Sequence, residues 1–289
     1  IVAGAYERFG TEEQKTDMLG AINRGEVQAI AMSEPESGSD VGSLKCKARR
    51  DNGSYVISGH KTWISAAQHA ERILLVCRTD DSGAKHEGIS MIEVPADAPG
   101  ITIRGIDTMG GREVNDVFFD DVVVPAENLL GVEGNGWMQL MAGLNVERLI
   151  IAANMVGLAQ RAFDDLLAYV KERKQFGRPI GSFQAVSHRL ADVLVAIEIG
   201  RSLCYAACLR LDEGHADAQV FASAAKAWMS ETAVDAAEAA LQLHGGIGYT
   251  WELDVHLHLR RARANAVSLG DAAWHRERIA EHVAARQRA

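Results

Sequence analysis

The chain contains, at positions 31–40, the stretch Ala31-Met32-Ser33-Glu34-Pro35-Glu36-Ser37-Gly38-Ser39-Asp40. The apolar residues 29–32, which overlap its start, predict a β-strand, and the Pro, Gly and Ser residues that follow predict a loop. A loop of this composition can present backbone N–H groups and hydroxyls to an anionic ligand from a fixed position. The stretch therefore indicates a strand that ends in a binding loop.

The region around and after this loop, residues 29–128, has the pattern of a β-domain. Short alternating or β-branched runs recur there, separated by turn signals such as Asp51-Asn52-Gly53. The runs cover residues 44–48, 55–58, 73–77, 89–94, 101–103 and 117–124. We expect the last strand of this domain to end at Pro125.

Helical patterns precede and follow the β-domain. Residues 1–28 are predicted to be helical, with a helix start at Thr11. From about residue 136 apolar residues recur in i+3 and i+4 steps until Gly177 and Pro179 end the first helix. Further helices are predicted over 183–211, up to about 244, and after the turn at 245–248. Strands in one block and helices in the next predict an α+β fold, with a four-helix bundle in residues 129–289.

The composition of the chain excludes several classes of function. Its 289 residues carry a net charge of −9, so it offers no basic surface for a nucleic acid. No apolar run approaches the ~18 residues of a membrane span, and we expect none. The four cysteines are interpreted as buried thiols in a reducing cytoplasm. No metal site is expected, because His256 and His258 lack further ligands nearby.

Two further segments narrow the choice of protein family. Lys61-Thr62-Trp63-Ile64-Ser65 follows the loop, and Gln242-Leu243-His244-Gly245-Gly246-Ile247-Gly248-Tyr249 lies near the C-terminus. With the three segments in this order, the chain resembles the acyl-CoA dehydrogenases, FAD-dependent enzymes of fatty-acyl, branched-acyl or sterol side-chain oxidation. The resemblance implies a central β-barrel or sandwich domain followed by the four-helix bundle. It also implies that residues 1–28 are the last helix of an otherwise absent N-terminal helical domain, so we expect a fragment, with a naturally shortened protein as the alternative.

The resemblance also assigns residues to an FAD site. Ser33 and Ser65 would bond the isoalloxazine ring, Trp63 would cover its face, and Gly38 with Ser39 would meet the pyrophosphate and the acyl-CoA. Taken singly, a Trp on a strand is more often a core residue and a Ser/Gly loop is more often a turn. The complete set of expected cofactor residues is Met32, Ser33, Gly38, Ser39, Trp63, Ser65, Arg173, Phe176, Gln242, Gly245 and Gly246.

Part of this set points to an oligomer. In the family, residues matching Arg173 and Phe176, and the turn matching Gln242, Gly245 and Gly246, reach the FAD of a neighbouring subunit. A guanidinium can bridge two pyrophosphate oxygens as a planar fork. A cation at a helix C-terminus also offsets the helix dipole, a reading compatible with the first. We expect a homodimer or homotetramer, with a pair of unlike subunits as an alternative.

The expected catalytic base is Glu147. Removing the α-proton of an acyl thioester requires a carboxylate near Cα. Many family members place that Glu just before a Gly in the C-terminal segment, where this chain has Leu269-Gly270. The subgroup that includes isovaleryl- and long-chain acyl-CoA dehydrogenases places it before an Arg on a bundle helix, which matches Glu147-Arg148. The alternative reading is a first-turn Glu favoured by the helix dipole.

The resemblance implies the reaction and its partners. Glu147 would take the α-proton, flavin N5 would take the β-hydride, and the product would be a trans-2-enoyl-CoA. Ser39, Arg148 and the backbone N–H of Leu269 would bind the substrate, and an electron-transfer flavoprotein would accept the electrons. Alternatives are a flavin oxidase or monooxygenase, and a non-catalytic subunit that completes a partner's FAD site. A bacterial, cytoplasmic protein is expected; chain length and branching of the acyl group are not predicted.

Overall fold

The computed structural model describes residues 1–108 and 111–288. Its helices are α1 (Val2–Phe9), α2 (Glu12–Asn23), α3 (Gly136–Glu172), α4 (Gln184–Asp212), α5 (Ala218–His244), α6 (Val255–Val267) and α7 (Ala272–Arg288). Its strands are β1 (Gln28–Ala31), β2 (Lys47–Asp51), β3 (Ser54–Ser65), β4 (Arg72–Arg78), β5 (Ile89–Pro95), β6 (Ile101–Thr108), β7 (Gly111–Pro125), β8 (Leu129–Leu130), β9 (Lys174–Gln175) and β10 (Arg178–Pro179). The chain forms two compact units, Ile1–Gly143 and Leu144–Ala289. The finer division at residues 28 and 128 stays a prediction.

The first unit begins with two helices instead of the single helix expected in residues 1–28. Gly10, with an extended backbone, separates α1 from α2. Thr11 caps α2 as predicted: its hydroxyl accepts a hydrogen bond from the Gln14 amide at 3.2 Å, and the Gln14 side chain accepts one from the Thr11 amide at 3.1 Å. This capping box fixes the start of α2.

Eight strands of the first unit form one mixed sheet. Its order is β6-β7-β3-β2-β4-β5-β8, with β1 added in parallel to β4. The longest pairing joins β3 to β7 in antiparallel register. Residues such as Ile57, Ile73 and Val117 are fully buried and form the core beneath the sheet. The end of β1 and the end of β3 are thus held in fixed positions by the same sheet.

Two strand predictions in this unit were wrong. The run 44–48 was expected to be a strand, but a 3-10 turn occupies Val41–Ser43, and β2 begins only at Lys47. The sheet also continues beyond Pro125, because Leu129 and Leu130 pair with β5. The second error arises because the pairing partner of Leu130 is Met91, which is distant in sequence.

The second unit contains the predicted helices and one more. The bundle core includes Ala152, Leu166 and Ile197, all fully buried. The region expected to form one last helix is divided into α6 and α7 by the turn 268–271. Between α3 and α4, the predicted break at Gly177 and Pro179 is a short hairpin of β9 and β10.

Helix α3 is, within the part of the chain that the structure describes, the one helix long and apolar enough to cross a membrane by length and composition. This is weak evidence for a membrane span, because core helices of water-soluble proteins meet the same criterion. A stripe of α3 residues, including Ala152, Met155 and Leu166, is fully buried in the bundle core. Burial of such a stripe is typical of a helix that packs in the core of a bundle.

The cysteine prediction holds for three of the four residues. Cys46, Cys77 and Cys204 are buried, whereas Cys208 is exposed, contrary to expectation. All four are free thiols. Although Cys204 and Cys208 are one helical turn apart on α4, only Cys204 packs into the bundle core.

Candidate active site

The loop after β1 is a closed turn. The Glu34 amide donates to the Ser37 carbonyl at 2.9 Å, and the Ser37 amide donates to the Glu34 carbonyl at 3.0 Å. Pro35 occupies the second position of this turn, where its fixed φ is favourable. The Ser37 hydroxyl then donates to the Asp40 carbonyl at 2.7 Å. Gly38 and Ser39 between these contacts are exposed, with open space around Gly38.

A buried ion pair joins this loop to β3. The Lys61 ammonium, with no exposed side-chain surface, donates to Glu34 Oε1 and to the Met32 carbonyl, both at 2.8 Å. Glu34 also accepts the amides of Lys45 at 2.6 Å and Cys46 at 2.9 Å. Burial acts to raise the pKa of Glu34, but the Lys61 charge and these hydrogen bonds outweigh it and lower the pKa. Such a pair fixes the loop only while both partners remain.

The structure brings Ser33 next to the Trp63 segment. The Thr62 amide donates to the Ser33 carbonyl at 2.9 Å. Beyond Thr62 the β3–β7 register shifts between Lys61 and Ile64, which is a β-bulge. Trp63 in this bulge has φ 61°, and 59% of its surface is exposed. Bulges re-aim side chains and occur near functional sites, and a left-handed Trp is an uncommon, strained conformation.

These features fit an aromatic cofactor with a phosphate group. The expected contact residues of the first unit all retain accessible surface: Trp63, Ser65, Gly38 and Ser39 are exposed, and Met32 and Ser33 are half-buried. The exposed indole offers a flat apolar face, and the adjacent hydroxyls and loop amides offer hydrogen bonds. The residue that the sequence reading missed is Lys61, which lies between the polar residues His60 and Thr62 and shows no local sign of its buried partner Glu34.

Trp63→Gly tests this face. We expect FAD affinity to fall by about fivefold, because an aromatic stacking partner contributes on the order of 1 kcal/mol. Stability to urea should be unchanged or slightly higher, because glycine adopts a positive φ freely. Fluorescence titration with FAD and urea unfolding measure the two effects. The control is Val123→Ala, an exposed apolar residue on β7. Wild-type FAD affinity in Trp63→Gly would contradict the assignment of this face.

In the second unit, the hairpin after α3 exposes Phe176. Its two-residue loop, Phe176-Gly177, has φ values of 53° and 78°, as a type I′ turn requires. Phe176 is 93% exposed, and Arg173 beside it is also exposed. Packing within this unit does not explain why an aromatic residue is so exposed. Such exposure is expected of a group that contacts another molecule.

The C-terminal end of α5 lies beside the end of α3. Tyr169, four residues before Arg173, stacks on His244 with ring centroids 4.2 Å apart. Gly245 ends α5 with φ 64°, and its amide donates to the Gln242 carbonyl. Gln242, Gly245 and Gly246 are exposed. The structure therefore gathers the predicted neighbour-directed residues of the second unit at two adjoining helix ends.

Glu147 is a buried carboxylate on α3. Its side chain is 6% exposed, and within residues 1–108 and 111–288 no protein group gives it a hydrogen bond or ion pair. Burial raises the pKa of Glu147, while the charge of Arg148 acts in the opposite direction. A buried carboxylate with a raised pKa and no ion-pair partner is suited to accept a proton.

Arg148 connects α3 to the turn between α6 and α7. Its guanidinium Nε donates to the Leu269 carbonyl at 3.4 Å and lies 5.1 Å from the centre of the Trp274 ring. These contacts indicate structural support by Arg148, beside the substrate-binding role expected from the resemblance. The same contacts bring the segment of α3 that carries Glu147 close to the turn that carries Leu269.

Leu269 itself has an unusual backbone. Its φ is 57°, in the left-handed region that leucine rarely adopts. Among the described residues, its N–H has no hydrogen-bond acceptor, so a donor is left available in a half-buried turn. Asp271, at the end of this turn, accepts the Trp274 amide at 2.8 Å and thereby caps α7. Asp271 thus has a structural role.

His275 makes this region sensitive to acid. Its ring is fully buried, and neither nitrogen makes a hydrogen bond of normal geometry among the described residues. Burial, together with the charges of Lys226 and Arg148, lowers the pKa of His275 to about 4 from 6.5. Between these pH values the unfolded chain binds a proton that the folded chain excludes. The contribution of the neutral His275 to folding stability is therefore fully present above pH 6.5, and it is lost as the pH falls toward 4.

His275→Leu should flatten this acid dependence. We expect the loss of unfolding free energy between pH 6.5 and 4 to shrink by up to about 3 kcal/mol, from a shift of this size. At pH 7 the variant should be about as stable as the wild type, because the contact of the ring with the Leu269 backbone is not a hydrogen bond of normal geometry. Urea unfolding across this pH range measures both values, with exposed His188→Leu as the control. An unchanged acid slope would show that His275 is accessible to protons in the folded state.

The histidine pair considered as a metal site has other partners. His258 Nε2 lies 3.2 Å from Asp165 Oδ2, and His256 packs edge-on against Trp251 at 4.7 Å. In the ranges 1–108 and 111–288, no group of three or more His, Cys, Asp or Glu side chains is arranged to hold a metal ion.

Comparison with known proteins places the chain in a family. Family models for the acyl-CoA dehydrogenase middle domain and C-terminal domain match residues 29–122 and 134–284. Probable acyl-CoA dehydrogenase YngJ of Bacillus subtilis is 39% identical over 279 residues, which are 95% of this chain and 73% of that protein. Mitochondrial isovaleryl-CoA dehydrogenase of Oryza sativa is 38% identical over 91% of this chain and 65% of its own length.

A solved structure gives the same result. The acyl-CoA dehydrogenase of Geobacillus kaustophilus superposes with a TM-score of 0.91 at 35% identity, covering 98% of this chain and 76% of that one. The likeness includes both the mixed sheet and the helices that follow it. The chain therefore belongs to the acyl-CoA dehydrogenase family, whose members are FAD-dependent oxidoreductases.

Proposed function

We propose that this protein dehydrogenates an acyl-CoA thioester to the trans-2-enoyl-CoA, with Glu147 as the base. The observation that carries the proposal is the pairing of a buried, unpaired Glu147 with an available N–H at Leu269, linked through Arg148. The reaction removes a proton from Cα and a hydrogen with its electron pair from Cβ, and a C=C bond forms. Bound FAD supplies the acceptor for that electron pair.

Glu147 would act on the α-proton. Its raised pKa makes it a stronger proton acceptor than an exposed glutamate, and its burial keeps water from competing. The match to the subgroup with the base before an Arg is supported by the relative named isovaleryl-CoA dehydrogenase. Leu269 has no proton-accepting side chain, so the alternative location for a base is not available.

The Leu269 N–H would stabilise the developing enolate. When Cα loses its proton, negative charge moves to the thioester oxygen, and a fixed N–H donor lowers the energy of that charge. A backbone donor does not depend on the side chain at position 269. The change from Glu to Leu at this position thus leaves the oxygen-binding function intact.

The cofactor contacts are proposed for both units. Ser33, Ser65 and Trp63 would hold the ring, and Gly38 with Ser39 would contact the pyrophosphate and the substrate. The exposed Arg173, Phe176, Gln242, Gly245 and Gly246 would reach the FAD of a neighbouring copy. Their exposure supports this role, because contact with a second subunit would cover them.

The proposal extends to the electron acceptor and the compartment. Electrons would pass to an electron-transfer flavoprotein, since a dehydrogenase of this type needs an acceptor for two electrons in each turnover. The four free thiols support a reducing compartment such as the cytoplasm.

Product analysis tests the function. The protein is incubated with a panel of straight-chain and branched acyl-CoAs, including isovaleryl-CoA, and an electron-transfer flavoprotein. We expect a product lighter by two hydrogens from one substrate class, detected by mass spectrometry. The same product formed with oxygen as the sole acceptor, together with hydrogen peroxide, would favour an oxidase. No product with any substrate, despite bound FAD, would favour the non-catalytic subunit.

A further inference from the structure

A buried lysine on α5, Lys226, holds the turn that carries Leu269. Lys226 on α5 has no exposed surface and lies in an alanine-rich stretch. Its ammonium donates to the Ser230 hydroxyl at 2.8 Å, the Gly270 carbonyl at 3.0 Å and the Ala266 carbonyl at 3.1 Å. Among the described residues it forms no ion pair with a carboxylate.

All three N–H groups of the ammonium therefore donate hydrogen bonds, and two of these bonds go to carbonyls that flank Leu269. Ala266 is in the last turn of α6, and Gly270 follows Leu269, so Lys226 bridges the turn on both sides of Leu269. A cation near the C-terminus of a helix is favoured by the helix dipole. Burial nevertheless lowers the pKa of Lys226 to about 8; the charge of Asp271 acts to raise it, and the charge of Arg148 acts to lower it. Burying a charge is costly unless its donors are satisfied, as they are here.

The turn held in this way is the strained one. Leu269 keeps a left-handed backbone although it carries a side chain, and such conformations persist only where the surroundings fix them. Arg148 fixes the Leu269 carbonyl, and Lys226 fixes the carbonyls on either side of it. The Leu269 N–H lies between these anchors and is left without an acceptor.

We propose that Lys226 is a positioning residue that holds the Leu269 N–H in place to receive the thioester oxygen. This inference rests on the proposed dehydrogenation. Lys226 does not touch the reacting atoms; it sets the orientation of a donor that does. The charged groups facing it are Arg148 from α3 and Asp271 before α7, and the neutral ring of His275 on α7 lies beside them.

The test compares Lys226→Met with the wild-type holoenzyme by two measurements. Hydrogen exchange of residues 266–271, followed by mass spectrometry without substrate, should be at least about tenfold faster in the variant, because the turn loses its anchor. Steady-state kinetics should show kcat lower by about 30-fold or more with KM within about threefold, because the donor acts mainly in the transition state. Exchange of the strands in the first unit should not change.

A control variant of lower stability distinguishes the loss of the turn's anchor from a general loss of folding stability. Ile197→Ala removes a fully buried side chain on α4, a helix that does not itself form the turn. At a temperature where both variants are folded, this control should keep wild-type kcat and wild-type exchange in residues 266–271. If Lys226→Met does not fold, Lys226→Gln, which keeps uncharged N–H donors, is expected to show smaller changes in the same direction.

The outcomes distinguish this proposal from the function on which it rests. Wild-type exchange in residues 266–271, or faster exchange with unchanged kcat, would overturn the role of Lys226 while leaving the dehydrogenase proposal standing. If the wild-type holoenzyme turns over no acyl-CoA, the proposed function fails, and the catalytic role of Lys226 fails with it. The exchange measurement would then still report whether Lys226 anchors the turn.

Discussion

Replacing Glu147 with Gln is expected to lower kcat by about 10³-fold or more, because a positioned general base contributes on the order of 10²–10⁴. The substitution keeps the size of a buried side chain and removes only its ability to take a proton. FAD content and the dissociation constant for acyl-CoA should therefore stay within about threefold of wild type, a change of under 1 kcal/mol. Stopped-flow kinetics and equilibrium titration measure the two quantities.

The matched control for this variant is Glu172→Gln. Glu172 lies on the same helix, α3, but is exposed at its C-terminal end. Its substitution should leave kcat unchanged. If Glu147→Gln keeps turnover within about tenfold of wild type, the dedicated base is elsewhere, because so small a loss is below the usual effect of a base. Asp271→Asn would then be the next variant, although Asp271 already caps α7.

Lys61→Met is expected to give the largest loss of stability in the first unit. Removing one partner of a buried ion pair leaves the other charge uncompensated, which costs about 3–5 kcal/mol. Here the remaining charge is Glu34, whose carboxylate also holds the Lys45 and Cys46 amides. The loop that contains Gly38 and Ser39 should lose its fixed geometry. Urea unfolding and the FAD content of the purified protein measure both effects.

A double variant identifies the cause of this loss. In Lys61→Met combined with Glu34→Gln, the uncompensated charge is absent, while the Gln side chain can still accept an amide hydrogen bond. We expect about half of the lost stability to return, because the desolvated charge is the larger part of the penalty. If the double variant is as unstable as Lys61→Met, packing at position 61 and not charge would explain the loss.

The local parts of the site could be predicted from the sequence. The loop at 31–40, the strand before it and the helix break at Gly177 depend on residue types whose backbone preferences act over a few positions. The α+β order also follows from periodicity, because helices and strands here occupy separate blocks. The predicted bundle helices agree with α3, α4 and α5.

What failed depends on contacts between residues far apart in the chain. Strand β3 continues beyond the predicted run 55–58 to Ser65 because the polar segment that follows pairs with β7. Lys61 finds Glu34, 27 positions away, and Lys226 finds Gly270, 44 positions away. A lysine in a strand or an alanine-rich helix shows no local sign of such a partner. The left-handed Leu269 is likewise set by its surroundings and not by its own preference.

The most direct measurement is the visible flavin spectrum of the FAD-loaded protein while acyl-CoA is added without oxygen. The proposed mechanism requires that one class of acyl-CoA bleach the flavin absorbance of the wild-type protein, and that Glu147→Gln with the same FAD content bleach about 10³-fold more slowly. Bleaching of Glu147→Gln at the wild-type rate would contradict Glu147 as the base. A flavin-loaded wild-type protein that no acyl-CoA bleaches would contradict the dehydrogenation itself.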